Sequence, residues 1–315
     1  MKISVVTTMY NSSIYLQEFY SRIKRSIEEL EFSYEIIMVS DGSPDNSLEV
    51  AKNIQKQDSH VMVIELSKNF GHHKAILTGL SFATGDLVFL IDCDLEEEPE
   101  LLGQFYSIWE NNERKYDVIF GVQENRSGTF YKRIAGSLFY KLFNYLSDVH
   151  ISENICTVRL MTKGYVDSLL RFKDKNVFLA ALFEKTGFEQ MPVIINKTYK
   201  GSSSYNLFKK IALMTEAITS FSSKPLSLIM ITGLTFSSVS FVYAIYLIFR
   251  KVLNSSVIGG WTSLMVSVWF LSGLILFSLG TLGIYITKIY NETKDRPITI
   301  VKAIYGLQNG EKLNE

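Results

Sequence analysis

The chain of 315 residues is long enough for one large α/β domain with an addition, or for two modest domains. Lys plus Arg and Asp plus Glu each number 32, so the formal net charge is zero and no basic field favours a nucleic-acid partner. Cys93 and Cys156 lie far apart, which excludes a disulfide scaffold and a cysteine-based zinc module. Hydrophobic residues make up 47% of the chain and are concentrated after Pro225. We therefore expect a soluble N-terminal part and a membrane part.

The first 200 residues alternate short β-branched runs with helical patterns. The predicted strands are Ile3–Thr8, Glu35–Val39, Val61–Leu66, Leu87–Ile91 and Val118–Phe120. The predicted helices are Ser12–Leu30, Asp45–Gln57, His72–Ala83 and Glu100–Asn111. This order is typical of parallel βαβ units in an open twisted sheet, where ligands bind beyond the carboxyl ends of the strands. The residues that follow each strand are therefore the candidates for a functional site.

Polar residues follow the first two predicted strands. Thr8, Tyr10 and Asn11 end the first strand, and Tyr10 offers an aromatic face to a nucleobase. Asp41 follows the second strand, where a carboxylate could accept a hydrogen bond from the base. The neighbouring Asp45 has a structural explanation, because it can cap the next helix.

Two carboxylates, Asp92 and Asp94, end the fourth predicted strand. Carboxylates two residues apart at a strand end can face the same side and share a hard cation such as Mg²⁺ or Mn²⁺. Such a cation also binds substrate phosphates. The alternative is a solvated acidic loop, which the following run Glu96-Glu97-Glu98 also allows.

Two long uncharged stretches lie in the C-terminal third of the chain. Each is long enough to cross a hydrocarbon layer of about 30 Å, so we expect a transmembrane hairpin over 225–288, with spans at 226–249 and 261–287. Basic residues beyond the outer ends outnumber the pair Arg250-Lys251 between the spans. The positive-inside rule therefore places both termini and the N-terminal domain on the cytoplasmic side.

Two amphipathic segments precede the predicted hairpin. One lies within Phe130–Leu146, and the other is the juxtamembrane segment 206–224. Either segment could lie at the membrane surface or pack on the domain core. The predicted organisation is a catalytic domain over 1–205, this juxtamembrane helix, the hairpin, and a cytoplasmic tail over 289–315.

Five short motifs occur in order before the hairpin: Thr8-Met9-Tyr10-Asn11, Ser40-Asp41-Gly42-Ser43, Lys68-Asn69-Phe70-Gly71-His72, Asp92-Cys93-Asp94-Leu95 and Gly201-x-Ser203-x-Tyr205. Together with the hairpin and the closing Glu292-x-Lys294-x-Arg296-Pro297, this series resembles the GT-A family 2 glycosyltransferases. More narrowly, it is similar to the polyprenyl-phosphate sugar transferases, such as dolichyl-phosphate mannose synthase and the bactoprenol glucosyltransferases. The resemblance covers nearly the whole chain.

The resemblance implies a GT-A, Rossmann-like, mostly parallel sheet with helices on both faces. It implies an inverting enzyme of the bacterial inner membrane that moves one sugar from a nucleotide sugar, UDP-linked, to polyprenyl phosphate. The implied partners are therefore this donor, this acceptor and the lipid bilayer, and a second copy of the chain is left open. The implied cofactor is Mg²⁺ or Mn²⁺.

The resemblance also implies roles for individual residues. Asp92 and Asp94 would hold the metal and the donor diphosphate. The nucleoside would meet Thr8, Tyr10, Asn11 and Asp41, and the lipid phosphate would meet Arg126, Arg133 and Ser137. Arg159 matches an arginine that follows the catalytic segment, and we assign it a catalytic role together with Asp94.

One departure from the family pattern affects the chemistry. Thr157 stands where many relatives have an Asp that is usually proposed as the catalytic base. A phosphate monoester is mostly a dianion at neutral pH, because its second pKa is about 6, so this acceptor needs positioning more than deprotonation. Glu153 is the candidate substitute carboxylate. The alternative function, extension of a lipid-linked saccharide through a hydroxyl acceptor, would need a general base.

Overall fold

The computed structural model describes residues 1–123, 145, 154–175, 177–197, 219, 222–253 and 260–306. The chain divides into two units. Unit 1 comprises Met1–Tyr140, Val149–Ser204 and Arg296–Glu315, and unit 2 comprises Lys141–Asp148 and Tyr205–Asp295. Unit 1 is therefore discontinuous in sequence, because its last segment follows unit 2.

An eight-stranded sheet forms the centre of unit 1. Its strands are β1 (Lys2–Met9), β2 (Ser33–Ser40), β3 (Val61–Leu66), β4 (Leu87–Leu90), β5 (Val118–Gln123), β6 (Ile155–Thr162), β7 (Gln190–Ile195) and β8 (Val301–Tyr305). Their order across the sheet is β7-β5-β6-β4-β1-β2-β3-β8. β6 is antiparallel to β4 and β5, β8 is antiparallel to β3, and the other pairs are parallel. The predicted mostly parallel α/β sheet is confirmed.

Helices cover the sheet because each buries one apolar face. They are α1 (Leu16–Glu28), α2 (Ser47–Gln57), α3 (His72–Ser81), α4 (Leu101–Asn111), α5 (Lys163–Leu169) and α6 (Leu179–Lys185). Phe19 of α1 and Phe105 of α4 are fully buried in a cluster with Val5 of β1. Helix α3 packs close to Val6, which points to the opposite face of β1: a Cβ built on Gly79 would lie 2.5 Å from Val6 Cγ1. This close approach explains the glycine in the middle of α3.

The segment predicted as a C-terminal tail, 289–315, contains a strand that sequence analysis did not predict. β8 pairs with β3 at the edge of the sheet. Glu65 of β3 accepts hydrogen bonds from Lys302 Nζ at 2.5 Å and from the Tyr305 hydroxyl at 2.9 Å. Residues beyond the apolar helices therefore complete the sheet of unit 1.

Unit 2 contains two long helices, α7 (Lys224–Leu253) and α8 (Trp261–Thr293). Among the described residues, one stretch is long and apolar enough to cross a membrane: Ser267–Thr293, with a mean hydropathy of 1.8 and none of its apolar window buried. The structure thus supports one candidate span and does not confirm a two-span hairpin. The predicted amphipathic segments, 206–224 and Phe130–Leu146, lie almost entirely outside the described residues.

Candidate active site

The polar ends of β1, β2 and β4 lie side by side because these strands are neighbours in the sheet. The Asp41 N–H, just beyond β2, donates to the Met9 carbonyl at the end of β1, at 3.2 Å. The Cys93 thiol, just beyond β4, donates to the Thr8 carbonyl at 3.1 Å. The structure therefore brings three of the predicted motifs together at the carboxyl edge of the sheet, as the βαβ order predicts.

Asp45 joins the loop after β1 to the loop after β2. Its carboxylate accepts hydrogen bonds from the Ser43 hydroxyl at 2.6 Å and from the Ser13 N–H at 3.0 Å, and the Asn11 N–H donates to Ser43 Oγ at 2.8 Å. Partial burial opposes ionisation, but these hydrogen bonds, with those from Ser47, hold the pKa of Asp45 well below its usual range. The loop that carries the exposed Tyr10 ring is thereby fixed in place.

Asp41 has a structural role that the sequence did not reveal. It is 3% exposed, and its two carboxylate oxygens accept the N–H groups of Phe70 at 2.7 Å and Gly71 at 3.0 Å. Asp41 thus fixes the loop between β3 and α3 against the end of β2. Each carboxylate oxygen has a second lone pair, so the predicted contact between Asp41 and a nucleobase stays a prediction.

The carboxylate pair lies on a strained turn after β4. Leu95 has φ of 59°, in the left-handed region that a bulky side chain rarely adopts, at a typical cost of about 1 kcal/mol or more. This turn lets Asp94 Oδ1 accept the Glu96 N–H at 2.9 Å. Burial raises the pKa of Asp94, and the negative charges of Asp92 and Glu96 raise it further. The fold therefore tolerates both backbone strain and electrostatic repulsion at this turn.

Glu97 corrects the reading of 96–98 as a solvated acidic loop. Its side chain is completely buried, and its oxygens accept the N–H groups of Thr157 at 3.3 Å and Val158 at 3.1 Å. Lys197 Nζ lies 3.5 Å from Glu97 Oε1 and 3.1 Å from Glu96 Oε2. Burial, followed by the charge of Asp92, raises the pKa of Glu97. Glu97 therefore ties the turn after β4 to β6.

The chemistry of this edge fits a divalent cation. Asp92, Asp94, Glu96 and Glu97 concentrate negative charge around one turn, with Lys197 as a positive neighbour. Oxygen ligands of this kind suit Mg²⁺ and Mn²⁺. Within the described part of the chain no group of three or more His, Cys, Asp or Glu residues is arranged to hold a metal. A cation at Asp92 and Asp94 would therefore leave coordination positions for water and phosphate oxygens.

Arg159 lies in the interior, opposite Leu90 at the end of β4. It is 2% exposed, its guanidinium carbon lies 3.3 Å from the centre of the Phe183 ring, and it donates to the carbonyls of Thr157 and Cys156. Burial lowers the pKa of Arg159 to about 10. This position gives Arg159 packing contacts, and its catalytic role stays a prediction.

The remaining predicted residues fall into two groups. Thr8, Asp92 and Asp94 are partly exposed, and Tyr10 and Asn11 are exposed, so all five are accessible at the carboxyl edge. The predicted residues that lie outside the described part of the chain are Arg126, Arg133, Ser137 and Glu153.

His72 follows β3 in the sequence, where its ring could approach a phosphate, and it enters the site as the first residue of α3. Its Nδ1 lies 3.1 Å from Thr8 Oγ1, and its Nε2 lies 3.5 Å from Asp92 Oδ1. The imidazole therefore bridges the ends of β1 and β4.

The chain is similar to known proteins over most of its length. The family model for glycosyl transferase family 2 matches residues 4–170. A Mycobacterium tuberculosis (strain CDC 1551 / Oshkosh) protein named among glycosyltransferases is 43% identical over 97% of this chain and 89% of its own length. The bactoprenol glucosyl transferase of Shigella phage SfX is 33% identical over 96% of this chain and 99% of its own length.

Among solved structures, mannosyl-3-phosphoglycerate synthase from Rubrobacter xylanophilus matches with a TM-score of 0.46 and 16% identity. The match covers 70% of this chain and 72% of that chain. The sequence matches, together with the carboxylate pair at the end of β4, show that this chain belongs to glycosyltransferase family 2 and is a glycosyltransferase.

Proposed function

We propose that the protein transfers one sugar from a UDP-linked donor to polyprenyl phosphate, with inversion at the anomeric carbon. The observation that carries the proposal is the carboxylate pair Asp92 and Asp94 on a strained, negatively charged turn at the carboxyl edge of the sheet. The acceptor class is supported by relatives named bactoprenol glucosyl transferase, which match almost the full length of the chain.

The donor binds across the ends of β1, β2 and β4. Tyr10 is 49% exposed and presents its ring to the base, on a loop that the hydrogen bonds of Asp45 hold in place. Thr8 and Asn11 line the same edge. Asp41 holds the neighbouring loop in place by accepting the N–H groups of Phe70 and Gly71. A preorganised edge of this kind orients the donor without a large ordering cost.

Asp92 and Asp94 would hold Mg²⁺ or Mn²⁺. When bound, the cation supplies positive charge that stabilises the departing nucleoside diphosphate. The two carboxylates would hold this charge at the end of β4, where the diphosphate of the donor binds.

A phosphate acceptor suits this chain better than a hydroxyl acceptor. A hydroxyl nucleophile needs a general base, and Thr157 provides no carboxylate at the position where relatives of this kind carry one. Glu97 lies beside Thr157, but it is fully buried and both of its oxygens accept backbone N–H groups. Glu97 is therefore not placed to remove a proton from a substrate, whereas a phosphate dianion needs no such step.

We also propose that both α7 and α8 span the membrane, with unit 1 on the cytoplasmic side. At 1.5 Å per residue, 30 and 33 helical residues each exceed the thickness of the hydrocarbon layer. Within unit 2 the helices run beside each other: the rings of Phe236 and Phe270 lie 5.7 Å apart, and the Tyr285 hydroxyl donates to the Ser222 carbonyl at 2.8 Å.

The central experiment is lipid labelling. Full-length protein in detergent is incubated with Mn²⁺, radiolabelled UDP-glucose and a purified polyprenyl phosphate, and organic-phase label is measured before and after mild acid. We expect acid-labile labelled lipid with the phosphate and none with the unphosphorylated polyprenol. Because the donor sugar is not assigned, other labelled UDP-sugars are run in parallel. Label that enters only lipid-linked saccharides, with every donor, would contradict the proposal.

Topology is tested separately with single cysteines. Cys93 and Cys156 are buried, so neither should react with a membrane-impermeant maleimide in intact cells. Ser256→Cys, between α7 and α8, should react from outside the cytoplasmic membrane, whereas Ser81→Cys on the exposed end of α3 should react only after lysis. Equal reactivity of the two positions in intact cells would refute the two-span arrangement.

A further inference from the structure

His72 is held at the carboxyl edge by a backbone that is anchored on both sides. It follows Gly71, whose φ of 100° allows the sharp entry into α3. Asp41 binds the N–H of Gly71 from one side. On the other side, the Ser67 N–H at the start of the same loop donates to the Ile300 carbonyl next to β8, at 2.9 Å. The position of the imidazole is therefore set by the fold.

The ring lies between a hydroxyl and a carboxylate. Thr8 Oγ1 is 3.1 Å from His72 Nδ1, within hydrogen-bond distance, and Asp92 Oδ1 is 3.5 Å from Nε2. The side chain of His72 is 46% exposed and that of Asp92 is 20% exposed. A ligand from solution can therefore reach the space between Nε2 and the carboxylate.

The separation of 3.5 Å is too long for a good N–H···O hydrogen bond, which has its optimum near 2.9 Å. It suits two atoms that share one cation, because ligands about 2.1 Å from a metal lie about 3.0 Å apart at an angle of 90° and about 3.4 Å apart at an angle of about 110°. If Nδ1–H donates to Thr8, Nε2 presents a lone pair to the carboxylate of Asp92. Two facing lone pairs are favourable only with a cation between them.

A second histidine shows the contrast. At the opposite edge of the sheet, His60 Nδ1 lies 2.9 Å from Asp58 Oδ1, and the His60 N–H binds the same oxygen at 2.9 Å. Asp58 is almost completely buried, and its other oxygen is occupied by the Tyr20 and Tyr34 hydroxyls. This pair is a closed structural contact, whereas the pair of His72 and Asp92 is open.

We infer that His72 is a nitrogen ligand of the divalent cation, alongside Asp92. The inference rests on the proposed function, since it extends the metal site of the carboxylate pair. Asp94 would contribute through a bound water, because no three His, Cys, Asp or Glu side chains of the described residues are arranged to bind one metal directly, and the remaining positions would be filled by water and phosphate oxygens. Mg²⁺ is bound almost entirely through oxygen, so a nitrogen ligand gives this site a preference for Mn²⁺ over Mg²⁺.

The test is a Mn²⁺ titration of purified full-length protein, without nucleotide, followed by the electron paramagnetic resonance signal of free Mn²⁺. Mg²⁺ competition is measured in the same samples. We expect His72→Ala to weaken Mn²⁺ binding about tenfold or more and to reduce the preference for Mn²⁺ over Mg²⁺. The matched control is His60→Ala, which removes the other Asp-linked imidazole and should leave Mn²⁺ binding unchanged.

A second variant separates ligation from hydrogen bonding. His72→Gln can still hydrogen-bond Thr8 but provides no imidazole, so it should bind Mn²⁺ as weakly as His72→Ala. Recovery of wild-type affinity in His72→Gln would overturn the inference, as would a wild-type protein that binds no Mn²⁺ by itself.

Asp92→Asn distinguishes the failure of this inference from the failure of the proposed function. Loss of Mn²⁺ in Asp92→Asn with wild-type binding in His72→Ala would remove His72 from the site and leave the carboxylate site intact. Wild-type binding in all of Asp92→Asn, Asp94→Asn and His72→Ala would remove the metal site of the proposed function as well.

Discussion

At the amino edge of the sheet, Glu35 and Asp58 carry carboxylates surrounded by donors, whereas at the carboxyl edge Asp94 and Glu97 lie among other negative charges. Glu35 accepts from Lys2 Nζ at 2.7 Å, from the Ser4 hydroxyl at 2.5 Å and from the Thr84 N–H at 2.6 Å. All of these groups belong to the same unit of the chain. The two edges therefore differ in how their carboxylates are partnered.

Asp58 is the clearest case at the amino edge. Its carboxylate accepts the Tyr20 hydroxyl at 2.7 Å, the Tyr34 hydroxyl at 2.8 Å and the His60 N–H at 2.9 Å. Burial opposes ionisation, but these hydrogen bonds hold the pKa of Asp58 well below its usual range. At the carboxyl edge, burial and neighbouring charges raise the pKa of Asp94 instead.

The carboxylates at the amino edge stabilise the fold, whereas those at the carboxyl edge carry charge that neighbouring negative groups repel. A carboxylate that is saturated with donors stabilises the folded state, whereas one that is repelled by its neighbours costs stability and attracts a cation. The same substitution, Asp to Asn, should therefore have opposite consequences at the two edges.

The largest expected effect is on activity at the carboxyl edge. Asp94→Asn removes one charge from the proposed cation site, which we expect to slow sugar transfer about 1,000-fold, equivalent to about 4 kcal/mol. Its melting temperature should equal or exceed that of the wild type, because a repelled charge is removed. Transfer is measured by lipid labelling, and near-normal transfer with retained Mn²⁺ dependence would refute the assignment of Asp94.

The next effect is on stability at the amino edge. Asp58→Asn weakens charge-assisted hydrogen bonds to Tyr20, Tyr34 and His60, and should cost about 2 kcal/mol, or about 4–8 °C in melting temperature. The transfer rate per folded molecule should stay at the wild-type value. A loss of transfer at temperatures where the variant is fully folded would show that the two edges are not separate in function.

A pH series sharpens this result. The pKa of Asp58 is lowered in the folded state, so its contribution is complete above the unfolded value of about 4 and is lost as the pH falls towards the folded value. The difference in melting temperature between the wild type and Asp58→Asn should therefore be constant from pH 7 to about pH 5 and shrink below about pH 4. A difference that grows as the pH falls would contradict the assigned role of Asp58.

The smallest effect is expected for one hydroxyl of the same cluster. Tyr34→Phe removes a single hydrogen bond to Asp58 while keeping the ring, and should cost about 1 kcal/mol, or a few degrees in melting temperature. In the Asp58→Asn background the same change should cost less, because the two groups interact directly. Strictly additive melting-temperature losses would show that Tyr34 and Asp58 act independently.

The local order of unit 1 could be predicted because β1 to β5 and α1 to α4 carry clear periodicity. β6 was missed because Arg159 interrupts its apolar run, and that arginine is accommodated by tertiary contacts such as the ring of Phe183, which lies 24 residues further along the chain. β8 was missed because it is short and pairs with β3, more than 230 residues earlier in the sequence. Neither pairing leaves a local signal.

The site shows the same division. Asp92 and Asp94 could be proposed from their place at the end of a buried strand, and Thr8 from its place in a neighbouring strand. The contact of His72 with Asp92 depends on how α3 packs against the sheet. The burial of Glu97 depends on its hydrogen bonds with β6. Both need tertiary structure, so the run Glu96-Glu97-Glu98 gave no sign that its central residue is internal.

The most direct test of the contrast between the edges is the rise in melting temperature that Mn²⁺ and uridine diphosphate produce together. Binding to the folded state alone stabilises it by an amount that depends on affinity. We expect a clear rise for the wild type, the same rise from a lower starting temperature for Asp58→Asn, and little or no rise for Asp94→Asn. A full rise in Asp94→Asn, or its loss in Asp58→Asn, would contradict the account.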